Sequence, residues 1–284
     1  MKDKLLFKRF IIGGVLGWIT VFGIVPTVML LGVSFMSRHT DDFIQPVFSL
    51  ASYYRLFQPA LGTMLLQSLL MAGGATLLCL LVGYPFAYIA ARARKDISRL
   101  MLLLVMIPFW TNTLIRTYAM VAVLKADGIL NKTLMFCGLI EAPIKIMYTQ
   151  SAVFIGLVYT LLPFMILPLY AAIEKLDLRL LEAARDLGAD KRTTFIKITI
   201  PQTMPGIVSG CMLVFLPAMG MFYIPDILGG ARTMLLGNYI RDQFLTARDL
   251  PMGAAASIAM TLMMGLMLAL YYRSMRRSGR RIKI

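Results

Sequence analysis

Six stretches of the chain carry no charge: Phe10–Met36, Leu56–Ala91, Leu100–Ile115, Ile146–Ile173, Ile198–Pro225 and Pro251–Tyr272. A helix rising about 1.5 Å per residue needs about 20 apolar residues to cross a hydrocarbon core about 30 Å thick. Five stretches are long enough, and the third is interrupted at Arg116. The pattern predicts an all-α membrane protein of six transmembrane helices in a single domain over 1–284. The crossings fall at about 11–35, 64–91, 100–123, 151–173, 205–223 and 251–272.

Local signals refine this picture. Pro163 and Pro168 predict kinks in the fourth crossing, tolerated where neighbouring helices satisfy the freed carbonyls. Gly206-x-x-x-Gly210 predicts a close packing seam on the fifth, and Asp249 before Pro251 predicts a capped start to the sixth. Ser49–Gln58, with Tyr53 and Tyr54, reads as a short interfacial helix, and Ala126–Gln150 as a long outer loop. Between the first two crossings lie Arg38, Asp41, Asp42 and Pro46.

Composition agrees: 59% hydrophobic and 15% charged residues exclude an ordinary soluble domain. The net charge of +15 raises nucleic acid as a partner, but its distribution points to a membrane instead. Both termini and the loops 92–99 and 174–197 hold twenty of the 29 lysines and arginines, which places them in the cytoplasm. The basic tail Arg273–Lys283 then anchors the last helix on anionic headgroups. Cys79, Cys137 and Cys211 suggest no disulfide framework, and His39, the single histidine, makes no metal cluster. The first apolar run is too long for a signal peptide and reads as an uncleaved helix. Methionine, at 22 residues, is read as core and lipid-facing filling.

One charged island interrupts the apolar chain: Glu182-Ala183-Ala184-Arg185-Asp186-Leu187-Gly188, followed by Ile198-Thr199-Ile200-Pro201. Asp177 is placed to cap a helix from Leu178, Gly188 to end it in a left-handed turn, and Asp190 to cap a second short helix through Ile198. Leu180, Leu181, Ala184 and Leu187 share one face, and Arg179 and Arg185 lie within pairing distance of Glu182. The residues alone leave two readings open: a knob that docks a soluble partner, or an amphipathic loop on the membrane surface. Glu182 and Asp186 as paired catalytic acids would lack any nucleophile, metal ligand or pocket, so no enzyme is read here.

The spacing Glu-Ala-Ala, three residues, Gly, nine residues, Ile-x-Leu-Pro resembles the signature loop of permease subunits of bacterial binding-protein-dependent ABC importers. It is matched at Glu182, Ala183, Ala184, Gly188, Ile198 and Pro201, with Ile200 where leucine is usual. Ile107–Arg116, Leu181–Asp190 and Leu216–Asp226 look like the spermidine/putrescine importer permeases, most of all the PotB-type subunit. The resemblance implies a type I ABC importer permease fold in the bacterial inner membrane, with the six signature residues as the ATPase-coupling site. It also implies a second homologous permease, a cytoplasmic ABC ATPase dimer and a periplasmic polyamine-binding protein as partners. No Gly-Lys pair occurs, so this chain has no P-loop; ATP and Mg would be held by the ATPase.

A polyamine is a flexible chain of ammonium groups, guided by carboxylates and aromatic faces. Trp110, Asn112, Tyr223 and Asp226, near the ends of the third and fifth crossings, are the candidate substrate-path residues; aromatic-belt anchoring and a solvated acid are the plain alternatives. Arg116 would repel the cargo, and pairing with an acid or a lipid phosphate is its expected role. The competing function is a carrier or channel for organic cations driven by membrane potential, worth about 2.3 kcal/mol per charge at 100 mV. Such a carrier needs no docking knob.

Overall fold

The computed structural model describes residues 2–38, 45–230 and 233–279, so His39, Asp41, Asp42 and the tail from Arg280 lie outside the described residues. In chain order the elements begin with α1 (Lys2–Ile19), a π-helical turn at Thr20–Ile24, α2 (Val25–Ser34), the strand pair β1 (Met36–Ser37) and β2 (Gln45–Phe48), and α3 (Ala51–Leu56). Then come α4 (Pro59–Arg92), α5 (Lys95–Met106), a 3-10 turn at Ile107–Trp110, α6 (Thr113–Leu124), α7 (Ile129–Phe136) and α8 (Gln150–Glu174). The chain closes with α9 (Leu178–Asp186), α10 (Lys191–Thr194), α11 (Ile200–Gly220), α12 (Leu236–Leu245) and α13 (Leu250–Gly279). A π turn at Phe195–Thr199 leads into α11, and another, Pro225–Gly229, follows it.

Among the described residues five helical segments are long and apolar enough to cross a membrane: Ile11–Ser34, Pro59–Arg92, Gln150–Glu174, Lys191–Gly220 and Leu250–Leu270. The third expected crossing is not a straight rod. The helices of Lys95–Trp110 and Thr113–Phe136 meet at 99° and make a sixth span only if taken together. The cause is local: Pro108 removes an amide donor, the Thr111 hydroxyl donates to the Pro108 carbonyl at 2.7 Å, and Asn112 accepts from the Leu114 amide at 2.8 Å, starting a new helix. The expected loop at 126–150 also contains a helix, α7. There Asn131, 1% exposed, donates to the carbonyls of Lys125, Ala126 and Ile144 and fixes the turn.

Two compact units divide the chain: residues 1–62 with 239–270, and 63–238 with 271–284. In the first, Phe35 stacks on Phe48 at 5.6 Å and meets Tyr53 at 5.1 Å, while the Ser34 and Tyr53 hydroxyls hydrogen-bond at 2.8 Å. Asp249, with 1% of its side chain exposed, caps α13 through the Met252 amide and pairs with Arg55 at 2.8 Å and Arg38 at 3.6 Å. Of Ile11–Ser34, Ser34 alone is buried, so the apolar faces of this span are left for lipid or another protein.

The second unit is built on α8. Val153, Leu157, Leu161, Met165, Leu169 and Ile173, on successive turns, are fully or almost fully buried. α11 lies against it through the glycine seam: a methyl group at Gly206 would meet the Ala172 Cβ and stand 2.8 Å from the Pro168 carbonyl oxygen, and one at Gly210 would stand 2.7 Å from the Met165 sulfur. Bare glycines allow this approach, and close packing is what holds helices together in lipid. α4 joins with the Tyr84 hydroxyl 2.9 Å from the Thr203 hydroxyl, and α5 with Ser98 at 3.0 Å from Tyr170.

Asp249→Ala is expected to destabilise the protein by about 1–2 kcal/mol, since it removes a helix cap and a shared ion-pair partner while leaving two half-exposed arginines solvated. Arg38→Ala, an exposed pair, is expected to cost under about 1 kcal/mol. Thermal unfolding in detergent checks the order; equal shifts would contradict it.

Candidate functional site

The charged island folds as its sequence dictates at its first half. Asp177 accepts from the Arg179 amide at 3.0 Å and starts α9. At the other end Gly188, with φ +81°, sits just past the helix; its amide donates to the Arg185 carbonyl at 2.8 Å and the Ala189 amide to the Ala184 carbonyl at 2.9 Å. These two bonds are a Schellman closure, which needs a residue at ease in the left-handed region. Leu181 and Ala184 are buried on the inner face, and an alanine there lets α9 lie close to the π turn Phe195–Thr199.

The second half departs from expectation. Asp190 caps α10 by accepting from the Thr193 amide at 3.2 Å, but no separate short helix ends at Ile198. The chain runs helically from Lys191 to Gly220 through the π turn. The reason lies at Pro201: without an amide proton it cannot close an ordinary turn, and the wider π turn just before it takes up the misfit. Leu180 and Leu187 are 44% and 89% exposed, so the expected shared apolar face is only half covered. Among the described residues Glu182 forms no ion pair with Arg179 or Arg185; it and Ala183 are exposed.

The six signature residues therefore fall on two adjoining elements, α9 with its closure at Gly188 and the π turn leading into α11. Glu182, Ala183 and Gly188 face solvent, Ala184 packs inward, Ile198 lies half-buried in the π turn and Pro201 stands exposed in the first turn of α11. A Cβ built at Gly188 meets nothing within 4 Å, so the chain itself leaves that surface open.

The other candidates fall at two places. Trp110, 80% exposed, and Asn112 sit at the bend between α5 and α6, where the Asn112 side chain is spent on the cap. Tyr223 and Asp226 lie beyond α11, both half-buried. α6, packed on Pro225–Gly229, connects the two places. Arg116, 9% exposed, lies near both places: its guanidinium lies 4.9 Å from the Phe109 ring centroid, donates to the Thr113 hydroxyl at 3.2 Å and acts electrostatically on Tyr223. Of the two expected partners, an acid or a lipid phosphate, no acid pairs with it among the described residues; a cation–π contact holds it, with Nε buried and unpartnered.

Sequence reading missed Asn238, 4% exposed, which donates through Nδ2 to both the Asp226 carboxylate and the Phe222 carbonyl. It lies in the first turn of α12. A cleft of about 550 Å³ between α8 and α11, near Lys175, Asp177, Gln202 and Ser209, was likewise unannounced. Its Asp177 and Ser209 are engaged with backbone, and Lys175 opposes any cation there.

The model of the family described as binding-protein-dependent transport system inner membrane component matches residues 83–284. The spermidine/putrescine transport system permease protein PotB of Escherichia coli (strain K12) is 52% identical over 270 residues, covering 95% of this chain and 98% of that protein. PotB of Haemophilus influenzae is 47% identical, covering 98% and 97%. Among solved structures, a chain of a bacterial alginate ABC transporter in complex with an alginate-bound periplasmic protein superposes with a TM-score of 0.75 at 18% identity, covering 97% of this chain and 95% of that one. At that identity the likeness concerns the fold.

The Thr193 hydroxyl and then its amide hold the exposed Asp190 carboxyl below its ordinary value of 3.8. A depressed carboxylate stabilises the folded form fully above the ordinary value and loses that contribution as pH falls through the lower, folded one. Protection of the 191–195 amides, taken relative to their intrinsic exchange rates, is expected to fall as pH drops below about 4, and Asp190→Asn to flatten that dependence. An unchanged pH profile in the asparagine variant would refute the cap's role.

Proposed function

Since the chain belongs to the family of inner-membrane components of binding-protein-dependent transport systems, we propose that it is the polyamine-conducting permease of an ATP-driven importer. It is a multi-pass inner-membrane protein and a transport subunit rather than an enzyme. In the proposed assembly it pairs with a second, homologous permease, with both termini cytoplasmic. A periplasmic binding protein delivers spermidine or putrescine, and two cytoplasmic ATPase subunits, which hold ATP and Mg, drive the cycle. Membership of a binding-protein-dependent system sets aside the carrier driven by membrane potential.

The observation that carries the mechanism is attachment: α9, closed at Gly188, packs on the π turn Phe195–Thr199, which belongs to the unbroken helical run Lys191–Gly220. Glu182, Ala183 and Gly188 present an open surface to the ATPase, while Ala184, Ile198 and Pro201 tie that surface to α11. Motion of the ATPase pair then turns α11 as a lever, and the glycine seam passes the motion to α8. Substrate class rests on the near full-length similarity to spermidine/putrescine permeases. Trp110 and Tyr223 offer aromatic faces to ammonium groups at about 0.5–2 kcal/mol each. Asp226, held by Asn238, offers a charge; Asn112 shapes the bend that carries Trp110.

Uptake of labelled spermidine and putrescine by cells lacking only this chain, complemented with variants, tests both parts. Trp110→Ala and Asp226→Asn are expected to lower uptake by about tenfold or more, roughly 1.4 kcal/mol, with ATPase copurification intact. Glu182→Lys and Gly188→Asp are expected to abolish copurification and uptake together. Normal uptake by the first pair overturns the path; full flux without an ATP-hydrolysing subunit overturns the drive.

A further inference from the structure

Along one stripe of α4, at successive turns, lie Leu80 and Leu81, then Tyr84 and Pro85, then Tyr88, then Arg92. The first four, with Phe195, Ile200, Met204 and Ile207, line an open apolar groove of about 400 Å³. Its walls are outward residues of two membrane-spanning segments: Leu81 is 61% exposed, Phe195 37% and Met204 36%. Phe195 also lines the next cavity along, of about 170 Å³, whose wall adds Tyr88, Arg185, Lys191 and Thr194. The Phe195 ring meets Tyr84 and Tyr88 edge-on at 5.7 and 6.2 Å, so the two hollows adjoin across one aromatic side chain.

The polar end is short of acceptors. Thr194 is 6% exposed, and its Oγ1 is buried with no hydrogen-bond partner. Arg92 lies over the Tyr88 ring at 5.5 Å, and its Nε and Nη2 are also buried and unpartnered. Buried donors without acceptors are costly, and guanidinium, ammonium and hydroxyl groups together suit a phosphate oxyanion. The charged side chains lining this cavity are Arg185 and Lys191; Glu182 and Asp186 of the same helix, α9, are not among its walls.

We propose that this groove binds one anionic phospholipid, with its phosphate among Arg92, Arg185, Lys191 and Thr194 and one acyl chain along α4 and α11. A free phosphate would leave the apolar half without an occupant, as would a carboxylate from a docked protein. The lipid would brace the π turn through which the charged island joins α11, independently of what the permease carries.

The test uses the full-length chain in detergent, with native mass spectrometry counting retained lipid. Phosphatidylglycerol is expected to be retained about tenfold over phosphatidylcholine of the same chains. Two lesions should each lower that retention by about tenfold: the double variant Arg92→Gln/Lys191→Gln at the basic end, and Ile207→Trp, which fills the apolar end. Arg94→Gln, exposed and two residues beyond Arg92, should change it by less than about twofold. Helix content and gel-filtration profile establish that each variant is folded, and Thr194→Val replaces the double variant if that one is not. Equal retention of both lipids, displacement by inorganic phosphate, indifference to Ile207→Trp, or loss of the lipid when the ATPase docks would each overturn the proposal.

Discussion

At Gly206 the backbone of α11 passes so close to α8 that an added methyl group would stand 2.8 Å from the Pro168 carbonyl oxygen, and one turn later Gly210 faces Met165 in the same way. In lipid, apolar side chains gain nothing by leaving their surroundings for one another, so contact of this closeness has to supply the cohesion. The rest of the second unit follows from it. One face of α8 is buried, much of it under α11, and the polar contacts from α4 and α5 attach to that pair. The seam also decides what the island can do. A helix held this near its neighbour, continuous with α10, does not move alone.

Proline and π turns recur together along the chain. Thr20–Ile24 is followed two residues on by Pro26, Phe195–Thr199 by Pro201, and the turn Pro225–Gly229 begins on a proline. Each proline lacks the amide that would close a regular turn, and the π turn spreads the misfit over five residues rather than breaking the helix. A ladder loosened in this way bends more readily than regular helix while transmitting axial force. On the proposed reading, that combination suits the stretch Lys191–Gly220 between the ATPase-facing α9 and the helices it packs on.

Much of this was legible in the chain. Uncharged runs located the spans, because a bilayer tolerates little else over that length. Asp177, Gly188 and Asp190 announced their caps, since those depend on a few neighbouring residues, and Gly206-x-x-x-Gly210 announced the seam. The bend at Asn112 was not legible: Pro108 and Asn112 each signal an interruption, but the angle depends on what α6 packs against. The fusion of α10 with α11 was hidden for a related reason. Pro201 reads as a boundary by local rules, and only the tertiary fit of the π turn makes it a passage. At the candidate path, the partners of Arg116 and Asp226 escaped notice. Phe109 lies seven residues before Arg116 across the bend, and Asn238 twelve residues after Asp226, separations that carry no periodic signal.

On the proposed reading, a site for a polycation must attract its cargo without retaining it. An isolated buried carboxylate facing a di- or trication would do the opposite, because a low dielectric strengthens every charge pair. Two features temper this. Asn238 donates to Asp226, spreading its charge over a hydrogen bond already made, and Arg116 sets a fixed positive charge within reach of Tyr223. Arg116 is held by the Phe109 face rather than by an acid among the described residues, so its charge is not cancelled locally. An ammonium group passing Trp110 and Tyr223 therefore meets aromatic attraction and fixed charges of both signs. The shallow well that results favours passage over storage, leaving tight recognition to the binding protein outside.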